Sequence, residues 1–258
     1  MSTIPGNPVG YFLDLNDRGD TFSVNELIGR EIRLEFTGEI QCIKCGRFTK
    51  TSFAQGYCYP CFISAPETEE CVLRPELCKA HEGIAREMEY AKEHCLIDHY
   101  VYLAFSGGLK VGVTRHTQVP TRWIDQGAGQ AIRVARTPNR YLAGIIEVDL
   151  KKHFHDKTNW KTMLMNLEQP FFDLVEEKQN AISLLHPDFR KYACDDDHVE
   201  TIVYPVDAYP AKIASVNPHK TPIVQQVLTG IRGQYLLFDN GSVLNVRKYG
   251  GYQVQLSW

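Results

Sequence analysis

Polar and apolar residues alternate through Glu31-Ile32-Arg33-Leu34-Glu35-Phe36, a period of two that predicts a strand with one buried face. Residues 83–95 carry interspersed Glu, Arg and Lys and predict a helix with a charged outer face. The run Tyr100-Val101-Tyr102-Leu103-Ala104-Phe105 is apolar and aromatic throughout, as a buried strand would be. Ser106-Gly107-Gly108 then reads as a turn, and Leu109-Lys110-Val111-Gly112-Val113-Thr114 as the return strand of a hairpin. After Pro120, residues Trp123, Ile124 and Ala128 line one face of a predicted helix. Residues 141–150 open as a strand, with Ala143, Ile145 and Ile146, and carry Glu147. Trp160, Met163, Leu164 and Leu167 recur at i, i+3, i+4 and i+7, which marks an amphipathic helix with Asn159 as its N-cap. Pro170 interrupts that pattern, and a second helix is expected over residues 171–185. In the tail, residues 233–238 and 243–246 flank Asp239-Asn240-Gly241, a hairpin signal, and residues 252–256 alternate again.

These elements predict an α+β protein in three parts. Residues 1–98 would form a zinc-ribbon-like module with an N-terminal strand. Residues 99–203 would form a small mixed sheet with helices. Residues 204–258 would form a C-terminal β element, either a small barrel or a sheet that pairs with the N-terminal strand. Pro205, Pro210, Pro218 and Pro222 suggest a linker at its start.

Charge refines this picture only locally. The net charge is −3, which argues against a generic polyanion binder. Residues 101–140, however, hold six basic residues and one acid, Asp125. Residues 67–98 hold nine acids and four bases, and residues 168–200 nine acids and three bases. A basic island between acidic flanks suits phosphate contact, or else a solvated surface of mixed charge. Asp195-Asp196-Asp197 reads as a solvated acidic loop. No stretch has the length of a membrane span. Residues 1–11 lack the basic and apolar regions of a signal peptide, so the expected location is cytoplasmic, where thiols stay reduced and clustered cysteines hold metal.

The most specific chemistry lies in Cys42, Cys45, Cys58 and Cys61, two Cys-x2-Cys pairs separated by twelve residues. Each pair offers two thiolates on a tight turn, and two turns complete a tetrahedral zinc site. Gly46, Gly56 and Pro60 supply the turn chemistry. A redox dithiol would want a βαβ unit around one such pair, and disulfides would want a secreted chain. Residues 41–79 contain few large apolar side chains, so a structural zinc would supply stabilisation on the order of 10–16 kcal/mol. A second zinc site is expected from Cys71, Cys78, His81 and Cys95, with His94 as an alternative to Cys95.

Over its whole length the chain resembles a prokaryotic family catalogued only as a domain of unknown function. The resemblance rests on Cys42-Ile43-Lys44-Cys45-Gly46-Arg47, Gly56-Tyr57-Cys58-Tyr59-Pro60-Cys61 and Arg74-Pro75-Glu76-Leu77-Cys78. It continues through Thr121-Arg122-Trp123-Ile124-Asp125 and Asp156-Lys157-Thr158-Asn159-Trp160. Within residues 100–185, the triplets Val101-Tyr102-Leu103 and Lys110-Val111-Gly112 lie on the two strands of the predicted hairpin, followed by Arg122 and Glu147. In this they resemble the GIY-YIG nuclease superfamily, with Val101 and Lys110 replacing a glycine and a tyrosine of its two triplets. The resemblance implies that Tyr102, Arg122 and Glu147 are catalytic, that Lys110, Arg115 and Asn159 bind substrate, and that Glu147 holds Mg2+ or Mn2+.

Together these readings predict a zinc-containing protein that acts on RNA or DNA, by endonuclease-like phosphodiester hydrolysis. A non-catalytic nucleic-acid binder on the same fold is the first alternative, with Arg47, Phe48, Lys50 and Phe53 near the knuckles making the contacts. A zinc adaptor that binds protein is the second.

Overall fold

The protein is described by a computed structural model at residues 1–15, 20–155, 159–167 and 173–258. The expectations at Asp156, Pro170 and Phe171 fall outside these residues. In chain order the first strands are β1 (Ser2–Ile4), β2 (Gly10–Leu15), β3 (Asp20–Ser23) and β4 (Glu31–Ile40). Next come β5 (His99–Phe105), β6 (Leu109–Arg115), β7 (Gln130–Thr137) and β8 (Val199–Thr201). The last are β9 (Ala214–Ser215), β10 (Ile223–Arg232), β11 (Tyr235–Phe238), β12 (Ser242–Asn245) and β13 (Tyr252–Ser257). The helices are α1 (Tyr59–Ser64), α2 (Met88–His94), α3 (Thr121–Asp125), α4 (Arg140–Leu150), α5 (Trp160–Leu164) and α6 (Leu174–Leu184).

The chain folds into two compact units rather than three consecutive parts. One holds Met1–Ile63, Leu164–Leu167 and Ile202–Trp258; the other holds Ser64–Met163 and Glu168–Thr201. The first and last stretches share a unit because their strands share a sheet, ordered β13-β4-β10-β11-β12-β9. Strand β4 takes antiparallel partners on both sides, Leu34 facing Val224 of β10 and Leu256 of β13. The tail therefore pairs with the N-terminal strand. Ile32, Leu34 and Ile40 of β4 are buried, as the alternation requires. Strands β1, β2 and β3 form a separate antiparallel sheet in the same unit.

In the other unit the sheet order is β6-β5-β7-β8, antiparallel at every pairing. The predicted hairpin is β5 and β6, with Tyr102 directly opposite Gly112. β5 is central, which explains its unbroken apolar run: Val101, Tyr102, Leu103 and Ala104 are all buried. Val101, Leu103, Val111, Ile132 and Val134 from the sheet pack with Ala143, Ile146 and Leu150 of α4 and with Leu174 and Ala181 of α6.

Two sequence expectations change here, and one strand was not expected. Residues 141–150 are helical: Ala143, Ile146 and Leu150 fall on one face at helical spacing, and Asn139 caps the helix by accepting from the Leu142 amide at 3.0 Å. The third strand of the sheet is instead β7, whose Arg133 and Arg136 obscured its apolar content in the sequence. The helix expected over residues 83–95 is confined to α2, because Gly83 adopts a left-handed backbone at φ 81° that ends the preceding turn.

Part of the basic island is tied up within the fold. Arg133 pairs with Asp196, Arg136 with Asp98, and Arg140 with the Cys71 sulfur. The fully buried Lys178 ammonium donates to Asp197 at 2.7 Å and to the Asp196 carbonyl at 2.9 Å. Asp196 and Asp197 thus anchor cations and are not merely a solvated loop.

Candidate functional site

The two cysteine pairs sit where β4 ends. Gly46, at φ 70°, closes the first turn, and its amide donates to the Cys42 carbonyl at 2.9 Å. The second turn closes by the Tyr57 amide donating to Phe53 at 2.9 Å, and Cys61 follows on the first turn of α1. Each pair has its own tight turn, with isolated bridges Gln41–Phe48 and Phe53–Tyr57. The Ile43 amide donates to Gly56 at 2.9 Å and ties the turns together.

The four sulfurs all lie within 4.8 Å of one another. Cys45 and Cys58 are 3.8 Å apart, too far for a disulfide. A tetrahedral zinc with bonds of about 2.3 Å would set its thiolates about 3.8 Å apart. The donor set and its spacing therefore fit zinc. Burial works against ionising Cys42, yet amides of Cys58, Cys45 and Lys44 outweigh it and bring the thiol down to about 6. Cys61 is pushed up to about 12, by lost solvation first and by thiol contacts with Cys45 and Cys58. Crowded thiols share out charge in this way, and a dication would let them all ionise.

A second cluster lies in the other unit. The sulfurs of Cys71, Cys78 and Cys95 lie within 4.8 Å of one another, and all three are buried. Hydrogen bonds from the Cys71 and Cys95 thiols bring Cys78 down to about 3, while both donors are raised. Arg140 donates to the Cys71 sulfur at 3.5 Å and to the His94 carbonyl at 3.1 Å. Zinc with three thiolates would carry one net negative charge, which this guanidinium would balance. His81 is not in the cluster. Its ring stacks on Tyr141 at 4.3 Å, and its Nε2 lies 3.6 Å from Glu82. His94 points its Nδ1 to the Tyr90 carbonyl at 3.0 Å.

The same unit holds a cavity of about 260 Å³ lined by Tyr102, Lys110, Gly112, Arg122, Gln126 and Glu147. Strand β5 supplies Tyr102, β6 supplies Lys110 and Gly112, α3 with its following residue supplies Arg122 and Gln126, and α4 supplies Glu147. Val72, Leu73 and Pro75 form part of the wall. The Gln126 amide donates to the Tyr102 hydroxyl at 2.8 Å, and its carbonyl accepts from the Lys110 ammonium. Burial raises the Tyr102 phenol, with Arg122 opposing, so the hydroxyl keeps its proton at neutral pH. Glu147 is buried and ion-paired to Lys151 at 3.3 Å.

Gly112 is required by this arrangement: a Cβ there would lie 2.6 Å from the Tyr102 hydroxyl. Gly144 of α4 is required similarly, since its Cβ would lie 2.2 Å from the Glu76 backbone nitrogen. That close approach lets residues 75–76 cross the helix, between the cavity wall and Cys78.

Four of the six residues expected to act on substrate thus line one cavity: Tyr102, Lys110, Arg122 and Glu147. Arg115 and Asn159 do not line it. Arg115 is half-buried at the far end of β6, opposite His99. Asn159 caps α5, accepting from the Thr162 amide at 3.2 Å. Sequence reasoning missed Gln126, although it stands four residues after Arg122, where one helical turn returns to the same face. It also missed Arg140, which carries no local sign of its thiol partner.

The fold and its clusters define an α+β protein with two cysteine sites fit for zinc, one in each unit. No helix among the described residues is long and apolar enough to cross a membrane. The chain belongs to the family described as Protein of unknown function (DUF2797), which matches residues 29–254. No curated protein matches it. No solved structure matches it either.

Proposed function

We propose that this protein acts on nucleic acid and that the cavity at Tyr102, Arg122 and Glu147 cleaves phosphodiesters. The observation that carries this reading is their presence, with Lys110, around one cavity on a hairpin, a helix start and a second helix. That combination is what the likeness to GIY-YIG nucleases implies. The register that sets Tyr102 opposite Gly112 and Leu103 opposite Val111 supports this reading.

The chemistry divides among the residues as follows. Arg122 offers a planar fork to two phosphoryl oxygens. Lys110 adds a second cation, oriented by Gln126. Tyr102, protonated and held by Gln126, donates a hydrogen bond to an attacking water or to a phosphoryl oxygen. Glu147 is the carboxylate that can hold a hard cation, whose remaining positions would be filled by water. When bound, Mg2+ or Mn2+ would supply charge neutralisation and a more acidic water. The two cysteine clusters would hold structural zinc.

The test is cleavage of mixed RNA and DNA substrates with added Mg2+ or Mn2+, comparing the native chain with Glu147→Gln and Arg122→Ala. We expect each substitution to lower the rate by about a hundredfold or more. Equal cleavage by all three proteins, or none by any, overturns the catalytic reading. The ion pair between Glu147 and Lys151 favours the second reading, binding without cleavage, because it occupies the one carboxylate named for the metal. On that reading affinity falls with salt and survives Glu147→Gln.

A further inference from the structure

The larger cavity lies elsewhere, in the unit that holds the four-cysteine site. It is an open cleft of about 570 Å³ lined by Gly38, Glu39, Ile40, Phe48, Thr49, Lys50 and His219. That volume is within the range of ligand sites, about 300–1,000 Å³. Beside it runs a chain of aromatic rings. His219 meets Phe36 edge-on at 5.5 Å and Tyr252 at 5.3 Å, and its Nε2 lies 2.8 Å from the Tyr252 hydroxyl. Phe36 lies 5.0 Å from Tyr252, which lies 5.1 Å from Tyr249. None of these rings belongs to the buried core, and Phe48 is 62% exposed. Strands β4 and β13, from opposite ends of the chain, supply Phe36 and Tyr252, while Phe48 and Lys50 come from the segment between the cysteine pairs.

Charge identifies the occupant. Residues 41–64 contain Lys44, Arg47 and Lys50 and no acid. Residues 240–258 contain Arg247 and Lys248 and no acid. The two segments are joined: the Gln41 amide donates to Gly251 at 2.7 Å, and Arg247 Nε donates to the Gln55 side chain at 3.1 Å. Of the five cations in these two segments, Lys50 lines the cleft and Lys248 lies 5.5 Å over the Tyr249 ring, while Glu39 is the acid that lines the cleft. Rings stack on bases and cations follow phosphates, a pairing that suits a single strand, whose bases are free.

We infer that Phe36, Phe48, Tyr252 and His219, with Lys50, form a stacking face for single-stranded nucleic acid. This rests on the nucleic-acid reading above for its ligand class, yet it is tested by binding alone. The measurement is fluorescence anisotropy of a labelled single strand, about 12 nucleotides long, as RNA and as DNA. The full chain is compared with Phe48→Ala, Tyr252→Leu, Lys50→Ala and Arg122→Ala. Phe48 is exposed, so its truncation leaves the fold intact even if Tyr252→Leu does not. Each ring removed is expected to weaken binding between about fivefold and about a hundredfold. Lys50→Ala is expected to flatten the salt dependence, and Arg122→Ala, which removes a phosphate contact in the other cavity, to weaken binding less than the loss of either ring. Loss in Arg122→Ala alone would overturn this inference and leave the cavity reading standing. Stacking-face losses without any cleavage would sink the cavity reading and leave this one. Absence of binding, or displacement by polyglutamate as readily as by an oligonucleotide, would overturn it, the latter in favour of an acidic protein.

Discussion

At the scale of single residues, the cavity depends on a glycine and a tyrosine that share one register position. Tyr102 lies over Gly112 because nothing projects from that Cα. Gly112→Ala should therefore displace the phenol and break its bond to Gln126. Overpacking of this kind costs about 1–3 kcal/mol, measurable as a lower denaturation midpoint in urea. His99 gives a pH-dependent counterpart. Burial, reinforced by Arg140, Arg115 and His116, brings its pKa down to about 4 from 6.5. Its Nδ1 lies 2.8 Å from the Ile97 carbonyl, so the proton sits there, and Nε2 is buried without a partner. The unfolded chain takes up this proton first. The stability tied to neutral His99 is complete above about pH 6.5 and is lost as pH falls towards 4. The loss reaches about 3 kcal/mol at most. Thiolates titrating at the zinc sites would act in the same direction, so the quantity to measure is the difference between the native chain and His99→Leu. Parallel pH profiles for the two would refute the assignment.

At the scale of elements, α4 joins the second cysteine cluster to the cavity. Arg140 at its start reaches Cys71, Gly144 admits residues 75–76, and Glu147 faces the cavity. Gly144→Ala should push the 75–76 backbone off the helix and carry Cys78 away from Cys71 and Cys95. The expected result is selective loss of metal from that site, with two further reactive thiols or more appearing in the native protein, while the four-cysteine site keeps its ion. Unchanged metal content would mean the loop has room to yield. The sequence misled at this element. Residues 141–146 contain two isoleucines and a tyrosine, side chains with strand propensity, and packing on the sheet overrode that preference. Asn139, the N-cap, is the local signal that does announce the helix.

At the scale of the molecule, one cysteine cluster in each unit predicts two zinc ions per chain. Metal analysis of protein purified without chelators should find about two, and about one after Cys58→Ser. Less than one in the native chain would reject the zinc assignment altogether. The expectation of a histidine ligand shows where legibility ended. Cys78-x2-His81 has the spacing of a knuckle, but the 3-10 turn at Ala80–Glu82 directs the imidazole onto Tyr141. Spacing limits which residues can meet; the backbone between them decides which do.

What the sequence determined by itself was local. The four-cysteine site was readable because two short turns bring its ligands together whatever the rest of the chain does. The β5–β6 hairpin was readable because a tight turn sets its register. The tertiary structure alone decided the rest: the pairing of β4 with β13 and β10, the place of β7 beside β5, Gln126 between Lys110 and Tyr102, and Arg140 against Cys71. These join residues far apart along the chain. Such pairings form when whole faces are buried together, and no short window of sequence records which faces those are.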